Sequence, residues 1–496
     1  MLSLHFPALL IVIPLMAAPL CIIVRHAYIA WLMAVIANVA VVFMAIAVFF
    51  QLSDGETIHY ALGGWAAPTG IEYYIDRLNS ALLVVISIIS LFTLIFSLKT
   101  IELEIAKPRH YLFYAGWLMC LTGLLGIVIT GDAFNVFVFL EVSSLSAYML
   151  IALGSERKQA LLAAFRYLIM GSIGASFILL GIGFLYAATG TLNMLDLAER
   201  IPEVKDSRTV FVAFSFITLG LLIKAAVFPA HAWLANAYQS APSAVAAFLA
   251  GTATKVSLYI FLRFFFHIFG SDYSFGQMLL GYVLLPLSVM GFFAMSVVAI
   301  FQKDIRRMLA YSSIAQIGYI VAAISMATQS GVTAGIVHII NHAFIKAALF
   351  MAVGCIIYRL GSAKISGMGG LIQRMPWTCS AFIIAGLSLI GVPLTAGFVS
   401  KWNLISAAMD SGWWPIAVMV LMSSLMAIVY VGKVIEMMCF KPSNQSNTSA
   451  AIEEVPLLML IPLWSLVLIS LYCGINGDFV VNISSVAAEQ LLEGMK

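Results

Sequence analysis

Charged side chains are scarce in this sequence. Only 9% of its 496 residues are Asp, Glu, Lys or Arg, and 63% are hydrophobic, whereas about a quarter of the residues in a soluble globular domain are charged. The shortage excludes a water-soluble fold and predicts an all-α, polytopic membrane protein. The net charge is only +3, and the basic residues are spread over short loops and apolar segments. Without a basic patch, we expect no nucleic-acid partner.

Motifs that bind redox cofactors or nucleotides are also missing. The six cysteines are widely scattered and show no CxxC or iron–sulfur spacing. No glycine-rich phosphate loop follows a strand, and no haem ligands or quinone site can be recognised. We therefore expect no cofactor and no resident metal, and the chain alone is not predicted to catalyse a redox reaction.

Apolar segments long enough to cross a bilayer recur along the chain, and a window of about 20 residues finds about fourteen of them. The first has no basic start and no small-residue cleavage site, so we expect it to be a retained span and not a removed signal peptide. The predicted spans lie near residues 3–24, 28–51, 76–98, 111–130, 133–153, 160–187, 209–228 (continuing to about 239), 243–265, 277–300, 305–326, 332–358, 377–400, 413–439 and 456–475.

The loops between the spans indicate the orientation. Most loop Lys and Arg residues follow odd-numbered spans, so the positive-inside rule predicts that both termini lie on the non-cytoplasmic side of the plasma membrane. Residues 53–75 alternate apolar and polar side chains around two glycines, which predicts a short external hairpin. Residues 441–454 are polar and aperiodic, which is typical of a flexible cytoplasmic link.

Lysines and prolines meet inside the seventh and eighth spans. Lys224 and Lys255 lie in apolar sequence, where a lysine costs about 2.5–3.5 kcal/mol at the centre of a spanning helix. Pro229 lies between them and removes a backbone donor, so the seventh span is predicted to break near Phe228. Freed backbone groups at membrane depth are tolerated only against protein or water. The combination favours a hydrated path for ions or protons.

A second lysine and proline pair suggests an internal repeat. The segment LIGVPLTAGFVSKWNL has Pro393 before Lys401, the reverse of the order in IKAAVFPAHAWL. If both prolines break their helices, residues 111–265 and 277–440 form two inverted five-helix repeats. Residues 1–110 would then supply the first three spans, and 441–496 the link, the last span and an external tail. Two unrelated prolines are the alternative, since membrane helices are rich in proline.

Glu141 is the acidic residue in the middle of the fifth span, in FNVFVFLEVSSLSAYML. An acid at this depth is a functional candidate by default, although a static ion pair is the alternative. Lys224 lies at a comparable depth and is the predicted partner. Burial disfavours the charged form of a lysine and a nearby carboxylate favours it. A pair that opens and closes would therefore make Lys224 release and bind a proton.

Three ionisable residues recur in the eleventh span, in IVHIINHAFIKAALF. His338, His342 and Lys346 are four residues apart and therefore share one helix face, over about 12 Å of helix axis. Histidine titrates near neutral pH and suits a proton relay. Metal ligation is the alternative, but no third ligand has a fixed spacing. With Lys255 and Lys401, these residues would form a set that extends laterally from Lys224 across the middle of the membrane.

These motifs together resemble a known family. The segments GDAFNVFVFLEVSSLSAYMLIALG, LIKAAVFPAHAWLANAYQSAPSAVAAFLAGTATKVSLYIFLRF, RRMLAYSSIAQIGY, HIINHAFIKAALFMAVG and GVPLTAGFVSKWNL look like the antiporter-like subunits of Mrp-type sodium/proton antiporters and of the membrane arm of respiratory complex I. The GGWAAPTGIEYYIDRLNSALL segment is most similar to the D-type subunits of the Mrp antiporters. The HAWLANAYQSAPSAVAAFLAG segment is closer to complex I and membrane-bound hydrogenase relatives.

The resemblance implies fourteen helices, two inverted repeats with broken seventh and twelfth helices, and proton transfer along a central polar axis. It also implies a secondary transporter subunit that works with other membrane subunits and exchanges protons for a monovalent cation such as Na⁺. A proton-pumping module of a redox complex, NADH-quinone oxidoreductase or hydrogenase, is the alternative. The implied proton-transfer residues are Glu141, Lys224, Lys255, His338, His342, Lys346 and Lys401.

Overall fold

A computed structural model describes residues 2–52, 56–154, 157–442 and 453–493. Helices dominate this part of the chain. Their bounds are α1 (Phe6–Val24), α2 (Ala27–Gln51), α3 (Arg77–Glu104), α4 (His110–Ile129), α5 (Ala133–Ala152), α6 (Arg157–Thr189), α7 (Met194–Val204), α8 (Arg208–Lys224), α9 (Ala232–Ser240), α10 (Ser243–Gly251), α11 (Ala253–Leu262), α12 (Leu280–Ile300), α13 (Ile305–Ile324), α14 (Gln329–Leu360), α15 (Pro376–Ile390), α16 (Ala396–Asp410), α17 (Trp414–Phe440), α18 (Leu457–Ile475) and α19 (Gly477–Glu493).

The predicted spans are confirmed as helices. Within the described residues, 12 helical segments are long and apolar enough to cross a membrane. The seventh and twelfth predicted spans are each divided between two shorter helices, α8 with α9 and α15 with α16. The chain is therefore a polytopic all-α membrane protein, as its composition predicts.

The predicted hairpin forms in the described part of residues 53–75. Strands β1 (Ile58–Ala61) and β2 (Glu72–Ile75) pair in antiparallel register, with Ile58 opposite Ile75. Asp76 follows directly and caps α3, since its side chain accepts from the backbone amides of Leu78 and Asn79. The hairpin thus marks the membrane face at which α3 begins, called the hairpin side below.

The seventh span breaks as predicted, but earlier than Pro229. Helix α8 ends at Lys224 itself, and the backbone turns through Ala226, which has a φ of 54°, before α9 begins. The twelfth span breaks between Gly391, with a φ of 93°, and Leu394, with a φ of 70°. Helix α16 then continues to Asp410, ten residues beyond the predicted end at 400. Both breaks contain a proline, which cannot continue the amide ladder.

Three features were not predicted. The eighth span, predicted as one helix over 243–265, is interrupted at Thr252, whose φ of −122° is not helical. Helix α7 lies in a segment predicted to be a loop, and α19 in residues predicted to be a tail. The sidedness of the termini and the inverted relation of the two repeats stay predictions, and most of the 441–454 link lies outside the described residues.

Helix α14 lies at the centre of the second half. Every residue from Gly331 to Ile356 is buried, and the helix packs against α3, α10, α13, α15, α16, α18 and α19. By contrast, α1, α2 and α17 carry large exposed apolar side chains, such as Phe43 and Leu425. The ionisable residues of α14 are therefore enclosed by protein on all sides, which is where a bilayer-spanning chain tolerates them.

Candidate functional site

Glu141 and Lys224 meet where α8 ends. The Nζ atom of Lys224 lies 3.5 Å from Oε1 of Glu141 and donates a hydrogen bond of 2.9 Å to the Ser144 hydroxyl. The Lys224 side chain is 5% exposed and that of Glu141 is 26% exposed. One partner is thus enclosed by protein and the other is partly open. The predicted pairing is present in the geometry of the structure.

Aromatic side chains hold the break next to Lys224. The indole of Trp233, in α9, donates to the carbonyl of Ile223 at 3.0 Å, which also accepts from the backbone amide of Ala226 at 3.1 Å. The ring of Tyr167 stacks on Trp233 at 4.1 Å, and Tyr148 meets Tyr167 edge-on at 4.6 Å. This stack connects α5, α6 and α9 and fixes the end of α8 where Lys224 lies.

A small cavity of about 30 Å³ adjoins Lys224. Ser143 and Ser144 of α5 line one part, and Val256 and Ser257 of α11 line another. A cavity of this volume has room for water, because about 10–15 Å³ suffices for one molecule, and the three serines give an otherwise mostly apolar lining a polar part. The cavity therefore leaves space for water between Lys224 and the helix that carries Lys255.

The unpredicted break in the eighth span provides the partners of Lys255. Its Nζ donates to the carbonyl of Ala250, at the end of α10, and lies 3.4 Å from the Thr254 hydroxyl. The side chain is buried. A lysine at a helix C-terminus interacts favourably with the free carbonyls and the helix dipole.

The three ionisable residues of α14 share one helix face, as their spacing predicts. Lys346 donates to the carbonyl of Leu309, at 2.9 Å, and to the hydroxyl of Ser312. The rings of His338 and His342 stack at 5.7 Å. Neither ring has a hydrogen-bond partner on either nitrogen, although both are buried. Two buried imidazoles with free nitrogens can both accept and donate a proton, as a relay requires.

Lys401 repeats the arrangement of Lys255 at the second broken helix. Its Nζ donates to the carbonyls of Ile390, at 2.7 Å, and Leu389, at 3.2 Å, at the end of α15. The same atom lies 5.3 Å from the centre of the Tyr319 ring, a favourable cation–π geometry. Tyr319 also meets the His338 ring at 6.0 Å. Lys401 is therefore connected to the histidines of α14 through one aromatic side chain.

The structure brings the seven predicted residues into two groups. Glu141 and Lys224 form the first. In the second, the rings of His338 and His342 stack, Lys346 lies one turn further along α14, and Lys401 reaches His338 through Tyr319. Lys255 lies near the junction of α10 and α11, which both pack against α14. Among the described residues, none of these three lysines forms an ion pair with a carboxylate. No group of three or more His, Cys, Asp or Glu side chains in that part of the chain is placed to hold a metal ion.

Two further ion pairs were not predicted, one part-buried and one buried. Arg306 contacts Glu104 at 2.8 Å and the Ser243 hydroxyl at 2.6 Å, beside an open cavity of about 560 Å³ that Asp304 and Lys364 also line. Asp76 and Arg263 form the second pair, on the hairpin side. In the sequence, the one sign of this second pair is an arginine, Arg263, at the end of an apolar span. Its partner Asp76 is 187 residues away along the chain.

Comparison with known proteins assigns the chain to a family. The family model described as NADH:quinone oxidoreductase/Mrp antiporter, TM, matches residues 130–427, which is more than half of the chain. The chain belongs to this family. All seven predicted proton-transfer residues lie inside the matched region, so the resemblance of the motifs is confirmed.

Relatives in this family come from two kinds of complex. The N subunit of the NADH-quinone oxidoreductase of Desulforudis audaxviator is 38% identical over 502 residues, which cover 96% of this chain and 97% of the relative. The D subunit of the Na(+)/H(+) antiporter of Alkalihalophilus pseudofirmus is 32% identical over 463 residues, which cover 92% of each chain. The chain is therefore an antiporter-like membrane subunit of the kind that both complexes contain.

Solved structures of the same family share the fold. A chain of the Mrp complex from Dietzia sp. DQ12-45-1b matches with a TM-score of 0.90 and 25% identity, covering 99% of this chain and 98% of that chain. A chain of the membrane-bound sulfane sulfur reductase, an archaeal respiratory membrane complex, matches with a TM-score of 0.90 and 32% identity, covering 98% of both. The similarity extends along nearly the whole chain, including the broken helices.

Proposed function

We propose that this chain is the proton-translocating membrane subunit of a multisubunit monovalent cation/proton antiporter, with Na⁺ as the exchanged cation. The observation that supports the proposal is the Glu141 and Lys224 pair at the broken end of α8. A lysine at this depth costs free energy unless it is paired or used in transport, and its partner Glu141 is partly exposed. The subunit would then be a secondary transporter component and not itself an enzyme.

In the proposed mechanism, Lys224 binds and releases the transported proton. When Glu141 is close, its carboxylate favours the ammonium form of Lys224. When the pair separates, burial favours the neutral amine, and the proton leaves. The cavity beside Lys224 provides the first step towards Lys255, and the free nitrogens of His338 and His342 the next. Lys346 and Lys401 would bind protons at the far end of this axis.

A redox-driven proton pump is the second candidate. It is favoured by the 38% identity to the N subunit of an NADH-quinone oxidoreductase and by the likeness to a sulfane sulfur reductase complex. The same proton axis would then be driven by electron transfer in other subunits, since this sequence carries no cluster spacing among its cysteines. The two candidates differ in the partner subunits and in the driving force, but not in the proposed roles of the seven residues.

In either case, we propose a hetero-oligomeric complex in the plasma membrane. The relatives come from multisubunit assemblies, and the exposed apolar faces of α1, α2 and α17 are available to lipid or to neighbouring subunits. Both termini would lie on the non-cytoplasmic side, as the distribution of basic loop residues predicts.

The test is purification of the native complex through a tag on this subunit, followed by identification of its partners and reconstitution into vesicles. We expect only membrane subunits, and Na⁺-dependent proton movement without an electron donor. Flavin-containing or iron–sulfur partners, with proton movement only during electron transfer, would favour the second candidate and contradict the first.

A further inference from the structure

The ion pair of Asp76 and Arg263 lies on the hairpin side of the proton axis and has no part in the mechanism above. Nη2 of Arg263 contacts Oδ2 of Asp76 at 2.5 Å, and the two side chains are 3% and 2% exposed. Oδ1 of Asp76 accepts from the amides of Leu78 and Asn79, at 2.9 and 3.2 Å. The backbone amides at the start of α3 therefore fix the Asp76 carboxylate, and the carboxylate in turn fixes the Arg263 guanidinium.

Arg263 continues a line of polar side chains that begins at Lys255. Lys255, Tyr259 and Arg263 are spaced by four residues and share one helix face. The Tyr259 hydroxyl accepts from Nε of Arg263 at 3.0 Å and donates to the carbonyl of Val128 at 2.8 Å. The helix changes to π geometry over Arg263–Ile268, a deviation that is frequent at functional sites.

Beyond Arg263 the polar side chains continue to the surface. The guanidinium lies 5.5 Å from the centre of the Tyr74 ring, which also meets the ring of His59 at 5.2 Å. His59 is half-exposed and contacts Glu72 at 3.1 Å. These side chains lie between Lys255 and solvent on the hairpin side, and Tyr259 is one helical turn from Lys255 on the same face. A proton that followed it would leave the axis before reaching α14, and exchange would be uncoupled.

We propose that Arg263, positioned by Asp76, is an electrostatic seal that stops protons from leaving Lys255 towards the hairpin side. The proposal rests on the role of Lys255 in the proposed function. A guanidinium cannot release its proton in a protein, so it can neither relay a proton nor lose its charge. A fixed arginine at a constriction is an established way to exclude protons and cations.

The positions of the two charges explain why the pair would stop protons that come from Lys255. A proton coming from Lys255 along Tyr259 meets the guanidinium first, because Nε of Arg263 contacts Tyr259 while Nη2 points to Asp76. The carboxylate lies on the far side and is already bound by two amides of α3. The approaching proton therefore encounters a positive group in a buried site, where charge repulsion is weakly screened.

A purely structural ion pair is the competing explanation, and it predicts a different result. Buried ion pairs contribute little net stability, because desolvation offsets their attraction. If the pair only holds α3 against α11, neutralising it affects assembly and leaves the membrane tight to protons. If the pair is a seal, an assembled but neutral variant leaks. Passive proton flux is thus the deciding quantity.

The experiment measures proton leak through the assembled complex in vesicles with an imposed pH gradient, without Na⁺ or an electron donor, and with the membrane potential clamped. The variant D76N/R263Q keeps a neutral hydrogen-bonded pair. We expect its leak to rise about tenfold or more over wild type, as a barrier lowered by about 1.4 kcal/mol or more would give. D76N alone keeps the guanidinium, and Y259F removes only a hydroxyl, so both should stay as tight as wild type.

Adding Lys255→Met to D76N/R263Q should return the leak to the wild-type level, because the source of protons is removed. A D76N/R263Q complex as tight as wild type would refute the seal, as would a leak that Lys255→Met does not reduce. If D76N/R263Q does not assemble, D76N/R263S, with a small polar side chain in place of the guanidinium, repeats the test, because it removes the charge without adding an apolar barrier. Exchange by the single variant Lys255→Met tests the proposed function separately, since loss of that function would not change the passive leak of wild type.

Discussion

Replacing Glu141 by Gln separates a proton switch from a static ion pair. Glutamine keeps the shape of glutamate and one acceptor oxygen, but it removes the charge that lies 3.5 Å from Nζ of Lys224. The ammonium form of Lys224 loses its stabilising neighbour, while the burial that favours the neutral amine is unchanged. We therefore expect the variant complex to assemble and to transport poorly near neutral pH.

The size of the effect follows from the distance and the exposure. Two unit charges 3.5 Å apart attract by about 5 kcal/mol at an effective dielectric constant of 20. Because the Glu141 side chain is 26% exposed, solvent screens part of this attraction, and about 1–3 kcal/mol is a reasonable loss. At about 1.4 kcal/mol for each pH unit, residual exchange should shift about one to two units towards lower pH, where the lysine can still be charged.

The assay is the pH profile of exchange in vesicles for wild type, Glu141→Gln and Glu141→Asp, with equal amounts of assembled complex. The Asp variant keeps the charge on a shorter side chain, so it should shift the profile less than the Gln variant. An unchanged optimum and rate in Glu141→Gln would mean that Glu141 does not control Lys224, and the switch would have to be abandoned.

Two further predictions concern the relay and the topology. His342→Phe keeps an aromatic ring, slightly larger than imidazole, in the buried face of α14 but removes both free nitrogens. We expect exchange to fall at least about tenfold, as about 1.4 kcal/mol of barrier would give, and wild-type exchange by an assembled variant would exclude His342 from the path. Cysteine labelling should reach the 441–454 link only from the cytoplasm and Lys496 only from outside, and labelling of the link from outside would overturn the predicted orientation.

The sequence predicts the spans and both proline-containing breaks because each depends on local information. A bilayer requires about 20 apolar residues for a crossing, and proline cannot continue a helix. The interruption at Thr252 follows Gly251 directly, but a single glycine inside a helical pattern is often tolerated. Only the packed structure shows that Thr252 leaves the helical region. Helices α7 and α19 were missed because they are amphipathic and too short or too polar for a span.

The candidate residues were predicted, but most of their partners were not. A lysine inside an apolar span is easy to recognise in the sequence, because placing its charge in the membrane costs free energy. Glu141 was the one acid predicted at the same depth as Lys224. Lys255 and Lys401 bind backbone carbonyls at helix breaks. Every residue has a backbone carbonyl, so the sequence does not show which one a lysine will bind. The partner of Arg263 is Asp76, which is far away along the chain. At the start of a helix, an aspartate is expected to be only an N-cap.

The central claim is that Lys224 carries the transported proton. The most direct measurement is cation-dependent proton movement in vesicles containing the complex with Lys224→Ala and, as a matched charged control, Lys224→Arg. We predict assembled complexes with no exchange in either variant, because alanine has no titratable group and a guanidinium cannot release its proton. Wild-type exchange by either assembled variant would contradict the account.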